Sequence, residues 1–111
     1  LSHSNTRMKW MNRINRKRAT IHLGGPTFRW VHLCLNAIKA LPKIIPRIET
    51  PVLILQAEKE KIVDNKNLEK LIALFPHAES MLVPQAKHEI LFEKDNVRKA
   101  VLERVNQFLH S

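Results

Sequence analysis

The run Pro51-Val52-Leu53-Ile54-Leu55 gives the clearest indication of the class of fold. A short, unbroken apolar run after a proline is typical of a strand buried on both faces, as in parallel sheets. The next apolar side chains follow the i, i+3, i+4, i+7 spacing of an amphipathic helix: Leu68, Leu71, Ile72 and Phe75. A second short strand, Met81-Leu82-Val83, is stopped by Pro84. This order predicts a βαβ unit and a parallel sheet.

A last helix is predicted after the second strand, with Asp95 as its N-cap. Its buried face consists of Val97, Val101, Val105 and Phe108, with Leu102 and Leu109 beside them. Two strands cannot seal a parallel sheet, because each leaves an edge and a face uncovered. We therefore expect further strands from an amino-terminal portion of the protein. Leu1, in place of an initiating methionine, also predicts that the chain begins inside a longer reading frame.

Residues 1–47 have a different character. Gly24-Gly25-Pro26 should interrupt any helix, and a helix is predicted over residues 27–41, ended by Pro42 and Pro46. This helix is apolar over more than half its circumference, so it needs cover on two sides or contact with lipid.

The net charge of +9 resides entirely in the first half of the chain. Residues 1–50 hold ten Lys/Arg and one acid, whereas residues 51–111 hold nine of each. Such a field attracts phospholipid headgroups, nucleic acid or an acidic protein face, and a plain solvated basic surface is the alternative. Residues 12–18 resemble an electrostatic nucleic-acid patch but lack interleaved aromatics.

The composition also limits the kind of protein that this chain can form. The chain is 44% hydrophobic, enough for one modest core, and has no apolar run of transmembrane length and no signal peptide. The single cysteine, Cys34, fits a reducing compartment, so a cytoplasmic location is expected. The histidines His22, His32, His77 and His110 lack metal-ligand spacing. No metal or cofactor is predicted.

Candidate chemistry lies in the two loops that follow the strands, because parallel sheets carry their sites at the carboxyl ends of strands. The loop over 56–64 offers Glu58, Glu60 and Asp64, and the loop over 84–94 offers His88 and Glu89. An acid followed by a histidine matches the last two members of a Ser…Asp/Glu…His triad. From the spacing alone, a loop histidine such as His88 is more often an ordinary solvated surface residue.

Three segments carry a more specific resemblance. The sequence from Pro51 to Asn65 is similar to the acid loop of the bacterial lysophospholipase L2 family, and Ala86-Lys87-His88-Glu89-Ile90-Leu91-Phe92-Glu93-Lys94-Asp95 resembles that family's histidine loop. Residues 24–31 resemble part of its cap, and residues 1–4 resemble the start of the cap. The family is related to monoacylglycerol lipases: α/β hydrolases with a helical cap over a serine nucleophile.

The resemblance implies roles for individual residues. His88 falls on the general base, and Glu60 is the first choice for the acid because Glu60-Lys61-Ile62-Val63 fits the family's pattern. Asp64 is the second choice, with helix capping as its competing explanation, and Glu58 is the third. Gln85 replaces the usual loop glycine, and Lys87 replaces a common aromatic.

The nucleophile is missing from the chain. No Gly-x-Ser-x-Gly elbow surrounds any of the serines, which are Ser2, Ser4, Ser80 and Ser111. The resemblance thus implies the carboxy-terminal part of an α/β hydrolase, with a helical cap over residues 1–47 and core over 48–111. It would act with an amino-terminal portion on a lysophospholipid or monoacylglycerol ester, in the cytoplasm and at the surface of the inner membrane. An inactive remnant that binds anionic membrane, or a basic nucleic-acid-binding module, is the alternative.

Overall fold

The computed structural model describes residues 1–18, 20 and 23–111. Its elements, in chain order, are helix α1 (Asn5–Lys17), helix α2 (Phe28–Ile44), a 3-10 turn (Ile45–Arg47), strand β1 (Val52–Ala57), helix α3 (Asn65–Ile72), strand β2 (Ala78–Val83), a 3-10 turn (Ile90–Phe92) and helix α4 (Asp95–Leu109). The predicted strand–helix–strand–helix order after a helical first part is confirmed. His22, one of the histidines without metal-ligand spacing, lies outside the described residues.

The two strands form a parallel sheet. Val52 pairs with Ala78 at one end and Ala57 pairs with Val83 at the other, with α3 as the crossover. Both strands are longer than predicted: β1 continues through Gln56 and Ala57, and β2 begins three residues before Met81. Because the strands are parallel, their carboxyl ends lie next to each other. The loops after Ala57 and Val83 therefore begin side by side at the same end of the sheet.

A small core lies directly beneath these two loops. Ala57, Val83, Ala86 and Val101 are almost completely buried, with Leu55, Ile90, Val97 and Val105 packed against them. Val101 is the buried side chain of α4, as its spacing predicted, whereas Leu102 and Leu109 of the predicted buried face are exposed. The backbone also joins the loops: the Glu58 N–H donates to the Val83 carbonyl at 3.1 Å, and the Lys59 N–H donates to the Ala86 carbonyl at 2.8 Å. The core and these bonds fix the relative position of the loops.

The predicted end of the second helix at Leu41 is wrong. α2 continues through Pro42 to Ile44 before the 3-10 turn begins. A proline inside a helix removes one backbone hydrogen bond, to the carbonyl four residues earlier. That carbonyl belongs to Ile38, in a helix without buried residues, so the lost hydrogen bond does not leave a polar group inside a packed core.

Asp95 is not the N-cap of the last helix. Lys94 holds that position without a side-chain capping hydrogen bond, and Asp95 is the first helical residue. The Asp95 carboxylate instead forms an ion pair with the Arg7 guanidinium at 2.5 Å, which lowers the pKa of the Asp95 carboxyl. The carboxylate that was predicted to cap α4 is therefore bound to Arg7 instead.

Helix α2 is uncovered in this chain. None of its residues is buried, although it carries several large apolar side chains: Phe28, Trp30, Val31, Leu33, Leu35 and Ile38. Thr27 begins the helix by accepting a hydrogen bond from the Trp30 N–H. The predicted need for cover on two sides is therefore unmet within the described residues. In those residues, no helix combines the length and apolarity needed to cross a bilayer.

Candidate active site

His88 and Glu60 meet where the two loops lie side by side. The His88 Nδ1 atom is 2.8 Å from Glu60 Oε2, across 28 residues of sequence. The Glu60 side chain is 8% exposed, whereas that of His88 is 37% exposed. A carboxylate that accepts a hydrogen bond from Nδ1–H selects the tautomer in which Nε2 is the nitrogen available to a reacting group.

The Glu60 carboxylate is fixed by its own loop. Its Oε1 atom accepts backbone N–H groups from the three residues that follow: Lys61 at 2.8 Å, Ile62 at 2.6 Å and Val63 at 3.3 Å. Oε2 is left to face the imidazole. Burial raises the pKa of the Glu60 carboxyl, but the three N–H donors and the His88 ring lower it by more, so the pKa lies below its ordinary value of 4.5. Glu60 is therefore a carboxylate at neutral pH.

The other two candidate acids have different partners. Asp64 is the N-cap of α3, where its Oδ1 atom accepts the Lys66 N–H at 2.9 Å. Glu58 accepts the Gln85 N–H through Oε2 at 2.7 Å. The helix-capping explanation of Asp64 is thus confirmed. Of the three acids, Glu60 is the one whose carboxylate is hydrogen bonded to His88.

Gln85 keeps the backbone conformation that a glycine would provide. Its φ angle is 64°, in the left-handed region, which costs a residue with a Cβ about 1–2 kcal/mol. The loop after β1 holds Gln85 at two points. Glu58 accepts its N–H, and the Lys59 ammonium donates to its side-chain oxygen at 2.7 Å. These two contacts hold Gln85 in its left-handed conformation.

Glu93 is a buried carboxylate that the sequence analysis did not single out. It is 1% exposed and accepts hydrogen bonds from His3 and from the Lys87 backbone. Its position directly after the apolar residues 90–92 is only a weak indication in the sequence that this carboxylate is buried. Its partners in residues 1–4 lie about 90 positions away in sequence, so no local pattern could reveal them.

A cavity of about 170 Å³ opens on His88. Its walls are three lysines, two apolar side chains and the imidazole: Lys59, Lys61, Lys87, Leu1, Ile62 and His88. A larger hollow of about 480 Å³ runs along α4, but it contains none of the candidate site residues. No cluster of three or more His, Cys, Asp or Glu in the described part of the chain could hold a metal ion.

No serine accompanies His88. Ser2 donates to the Phe92 carbonyl, Ser4 caps α1, and Ser111 donates to the Phe108 carbonyl. Ser80 lies in the middle of β2, not on a strand-to-helix turn. In the described residues, the Glu60 carboxylate and the His88 imidazole therefore lie together without a serine hydroxyl bonded to either.

A sheet with an acid and a histidine at adjacent strand ends is the arrangement of α/β hydrolases. A family model described as the alpha/beta hydrolase fold matches residues 1–95. The chain belongs to the α/β hydrolase family, which confirms the predicted fold class.

Particular relatives narrow the comparison. The chain is 74% identical over 110 residues to a probable lysophospholipase L2 of Haemophilus influenzae, covering 99% of this chain and 35% of that protein. It is 33% identical over 117 residues to lysophospholipase L2 of Escherichia coli K12, covering 99% and 34%. The predicted resemblance to the lysophospholipase L2 family is confirmed. The chain spans about a third of the length of these relatives.

A solved structure agrees with this comparison. The fold superimposes on the crystal structure of a soluble variant of monoglyceride lipase from Saccharomyces cerevisiae, in complex with a substrate analog, with a TM-score of 0.80. Sequence identity is 25%, and the match covers 99% of this chain and 40% of the lipase. The fold similarity therefore includes the first helices as well as the βαβ unit.

Proposed function

We propose that this chain supplies the acid and the general base of a serine hydrolase that cleaves a fatty-acyl carboxylic ester. The observation that supports this most is the 2.8 Å hydrogen bond between His88 Nδ1 and a Glu60 carboxylate fixed by three backbone N–H groups. A carboxylate placed in this way orients the imidazole and stabilises the imidazolium formed during the reaction.

In the proposed mechanism, the nucleophilic serine comes from the part of the hydrolase outside this chain. His88 Nε2 takes the serine hydroxyl proton as the oxygen attacks the ester carbonyl, and then gives that proton to the leaving alcohol. In the second half-reaction His88 takes a proton from water as the water oxygen attacks the acyl-enzyme, and returns that proton to the serine oxygen as the fatty acid leaves. Glu60 stays ionised throughout, in keeping with its lowered pKa.

The proposal includes an amino-terminal partner for the sheet. β1 and β2 pair with each other, and each has a second edge without a partner in the described residues. The nucleophile-bearing part of the core would complete the sheet along one of these edges. Residues 1–47 would form the helical cap and residues 48–111 the core. This division is supported by the absence of buried residues from α1 and α2.

The cavity at His88 favours a substrate that carries a phosphate. Lys59, Lys61 and Lys87 line it, and none of the three forms an ion pair with a carboxylate in the described part of the chain. Ammonium groups at a site lined also by Leu1 and Ile62 suit an anionic headgroup next to an acyl chain. We therefore propose a lysophospholipid over a monoacylglycerol as the substrate.

A hydrolase chimera tests the function. In this chimera the chain replaces the 110 matching residues of the Haemophilus influenzae relative. We expect the chimera to release fatty acid from lysophosphatidylglycerol with a higher kcat/KM than from monoacylglycerol, whereas the chain alone shows no turnover because it lacks a nucleophile. Folded chimera without ester hydrolysis, or the chain alone with turnover, would contradict the proposal.

Contact with an anionic membrane surface is a second candidate function, favoured by the exposed apolar side of α2. Phe28 is 97% exposed, and the first half of the chain carries the whole excess of positive charge. An apolar helix face beside cations binds anionic bilayers at the interface. This surface would serve the hydrolase by holding the cap against its lipid source, or would be the sole function of an inactive remnant.

Vesicle sedimentation measures this binding. The chimera should sediment more with phosphatidylglycerol vesicles than with phosphatidylcholine vesicles, and Phe28→Ser should weaken the sedimentation severalfold because it removes an inserting side chain. The matched control is Leu109→Ser at a site that is 70% exposed on α4. Equal loss in both variants would argue against a specific role for α2, and stronger, salt-dependent binding to duplex DNA would favour the nucleic-acid alternative.

A further inference from the structure

The first residues of the chain lie against the loop that carries His88. The Glu89 N–H donates to the Leu1 carbonyl at 3.1 Å, and the Ser2 hydroxyl donates to the Phe92 carbonyl at 2.6 Å. Neither contact belongs to the sheet or to the core. The loop of His88 is therefore held on one side by Glu60 and on the other side by residues 1–4.

Glu93 is the group that joins the two segments. Its Oε1 atom accepts the Lys87 N–H at 2.9 Å and lies 3.1 Å from His3 Nδ1. Its Oε2 atom accepts the His3 N–H at 3.0 Å. The residues on both sides of His88 are thus fixed through their backbone N–H groups: Lys87 by the Glu93 carboxylate, and Glu89 by Leu1.

The charge on Glu93 is retained in spite of its burial. Burial raises the pKa of the Glu93 carboxyl, but the Lys87 N–H and the two His3 groups lower it by more, so the pKa lies below its ordinary value of 4.5. Hydrogen bonds to a carboxylate are shorter and stronger than those to a neutral acceptor. A glutamine at this position would replace one oxygen by an NH₂ group and set that donor against an N–H donor.

We propose that Glu93 is a positioning residue for His88. It anchors the His88 loop to the start of the cap and so fixes the imidazole at hydrogen-bonding distance from Glu60. This inference rests on the proposed function of His88 as the base. Glu93 is not among the residues that line the cavity at His88, and the His88 ring is hydrogen bonded to Glu60, so the effect of Glu93 on the reaction is transmitted through the backbone of Lys87.

The test uses Glu93→Gln in the hydrolase chimera, with Glu103→Gln, an exposed glutamate on α4, as the matched control. We expect Glu93→Gln to lower kcat by up to about a hundredfold, the scale of a misplacement of about 1 Å, with little change in KM. Hydrogen–deuterium exchange of residues 86–92 should become faster in Glu93→Gln and stay unchanged in Glu103→Gln. A merely structural glutamate would lower the melting temperature without changing kcat in the folded fraction.

The pH dependence provides a second measurement. Because the pKa of Glu93 is lower in the folded state than in the unfolded state, its ionised form stabilises the fold fully above pH 4.5. This contribution is lost as the pH falls through the lowered pKa of the folded state. The difference in melting temperature between the chimera and Glu93→Gln, which includes the contribution of the facing His3 ring, should therefore persist down to about pH 4.5 and shrink below it.

Two results would overturn the positioning role. One is a kcat for folded Glu93→Gln within about twofold of the Glu103→Gln value, and the other is unchanged exchange of residues 86–92. If Glu93→Gln does not fold, His3→Ala serves instead, since it keeps the backbone bond from His3 and removes the ring bond; the same pattern is expected on a smaller scale. A chimera without any hydrolysis would refute the proposed function, and the exchange measurement would still decide whether Glu93 holds the loop.

Discussion

His88→Ala should abolish ester hydrolysis by the chimera, with a loss in kcat on the order of 10⁶-fold, the scale at which removal of a triad histidine acts in serine hydrolases. Without the imidazole, no group within reach of the nucleophile can take its proton. The same variant should melt close to the unchanged chimera, because the His88 side chain is 37% exposed and lies outside the core.

The matched control is His77→Ala. His77 is an exposed histidine between α3 and β2, and its backbone carbonyl, which accepts the Val52 N–H, is unaffected by the substitution. We expect full activity from this control. If His88→Ala kept more than about a tenth of the activity, the base would be another residue and the proposed mechanism would be wrong.

The fold was predictable where local chemistry determines it. The apolar run Val52–Leu55 and the helical spacing of Leu68 to Ile72 were enough to predict a βαβ unit, because burial of the strand on both faces and of one helix stripe leaves few arrangements. The predicted helix boundaries were wrong where one residue type is compatible with two structural roles. Pro42 was tolerated inside α2, and Asp95 forms an ion pair with Arg7 instead of capping α4.

The candidate site was predictable to the level of its two loops. The rule that sites lie at the carboxyl ends of parallel strands identified the loops after Ala57 and Val83, and the family resemblance selected His88 with Glu60 ahead of Asp64. Glu93 could not be predicted in this way. Its donors come from His3 and Lys87, and the contact with His3 depends on a tertiary arrangement that the local pattern does not encode.

The uncovered side of α2 is the part of the fold whose partner the sequence does not specify. Its apolar circumference required cover, and the structure leaves the helix without a buried residue. Two covers are consistent with the chemistry: the nucleophile-bearing part of the hydrolase, and a lipid surface. The two are compatible because a cap has one side toward the core and another toward the medium. The Phe28→Ser variant distinguishes them, since a side chain packed against protein would lower stability and one inserted in lipid would lower vesicle binding.

Substitution of Glu60 and of Asp64 by their amides distinguishes an orienting carboxylate from a helix cap. Glu60→Gln in the chimera should lower kcat by about 10⁴-fold, the effect of losing the orienting carboxylate of a triad. The side-chain oxygen of the introduced amide would still accept the three loop N–H groups, so the loop should keep its shape. Its NH₂ group would face His88 Nδ1 and favour the tautomer with the proton on Nε2, which cannot accept the proton of the serine.

Asp64→Asn makes the same chemical change four residues further on and serves as the matched control. Asparagine is as good an N-cap as aspartate, so the Lys66 N–H should keep its acceptor and both stability and kcat should stay near those of the chimera. Asp64→Ala, which removes the cap, should cost about 1 kcal/mol of stability and leave kcat of the folded protein unchanged. Measured kcat and melting temperatures for the three variants separate an orienting acid from a helix cap. A large loss of kcat in Asp64→Asn together with a nearly silent Glu60→Gln would reverse the assignment, because a cap acts on folding and an orienting carboxylate acts on the imidazole.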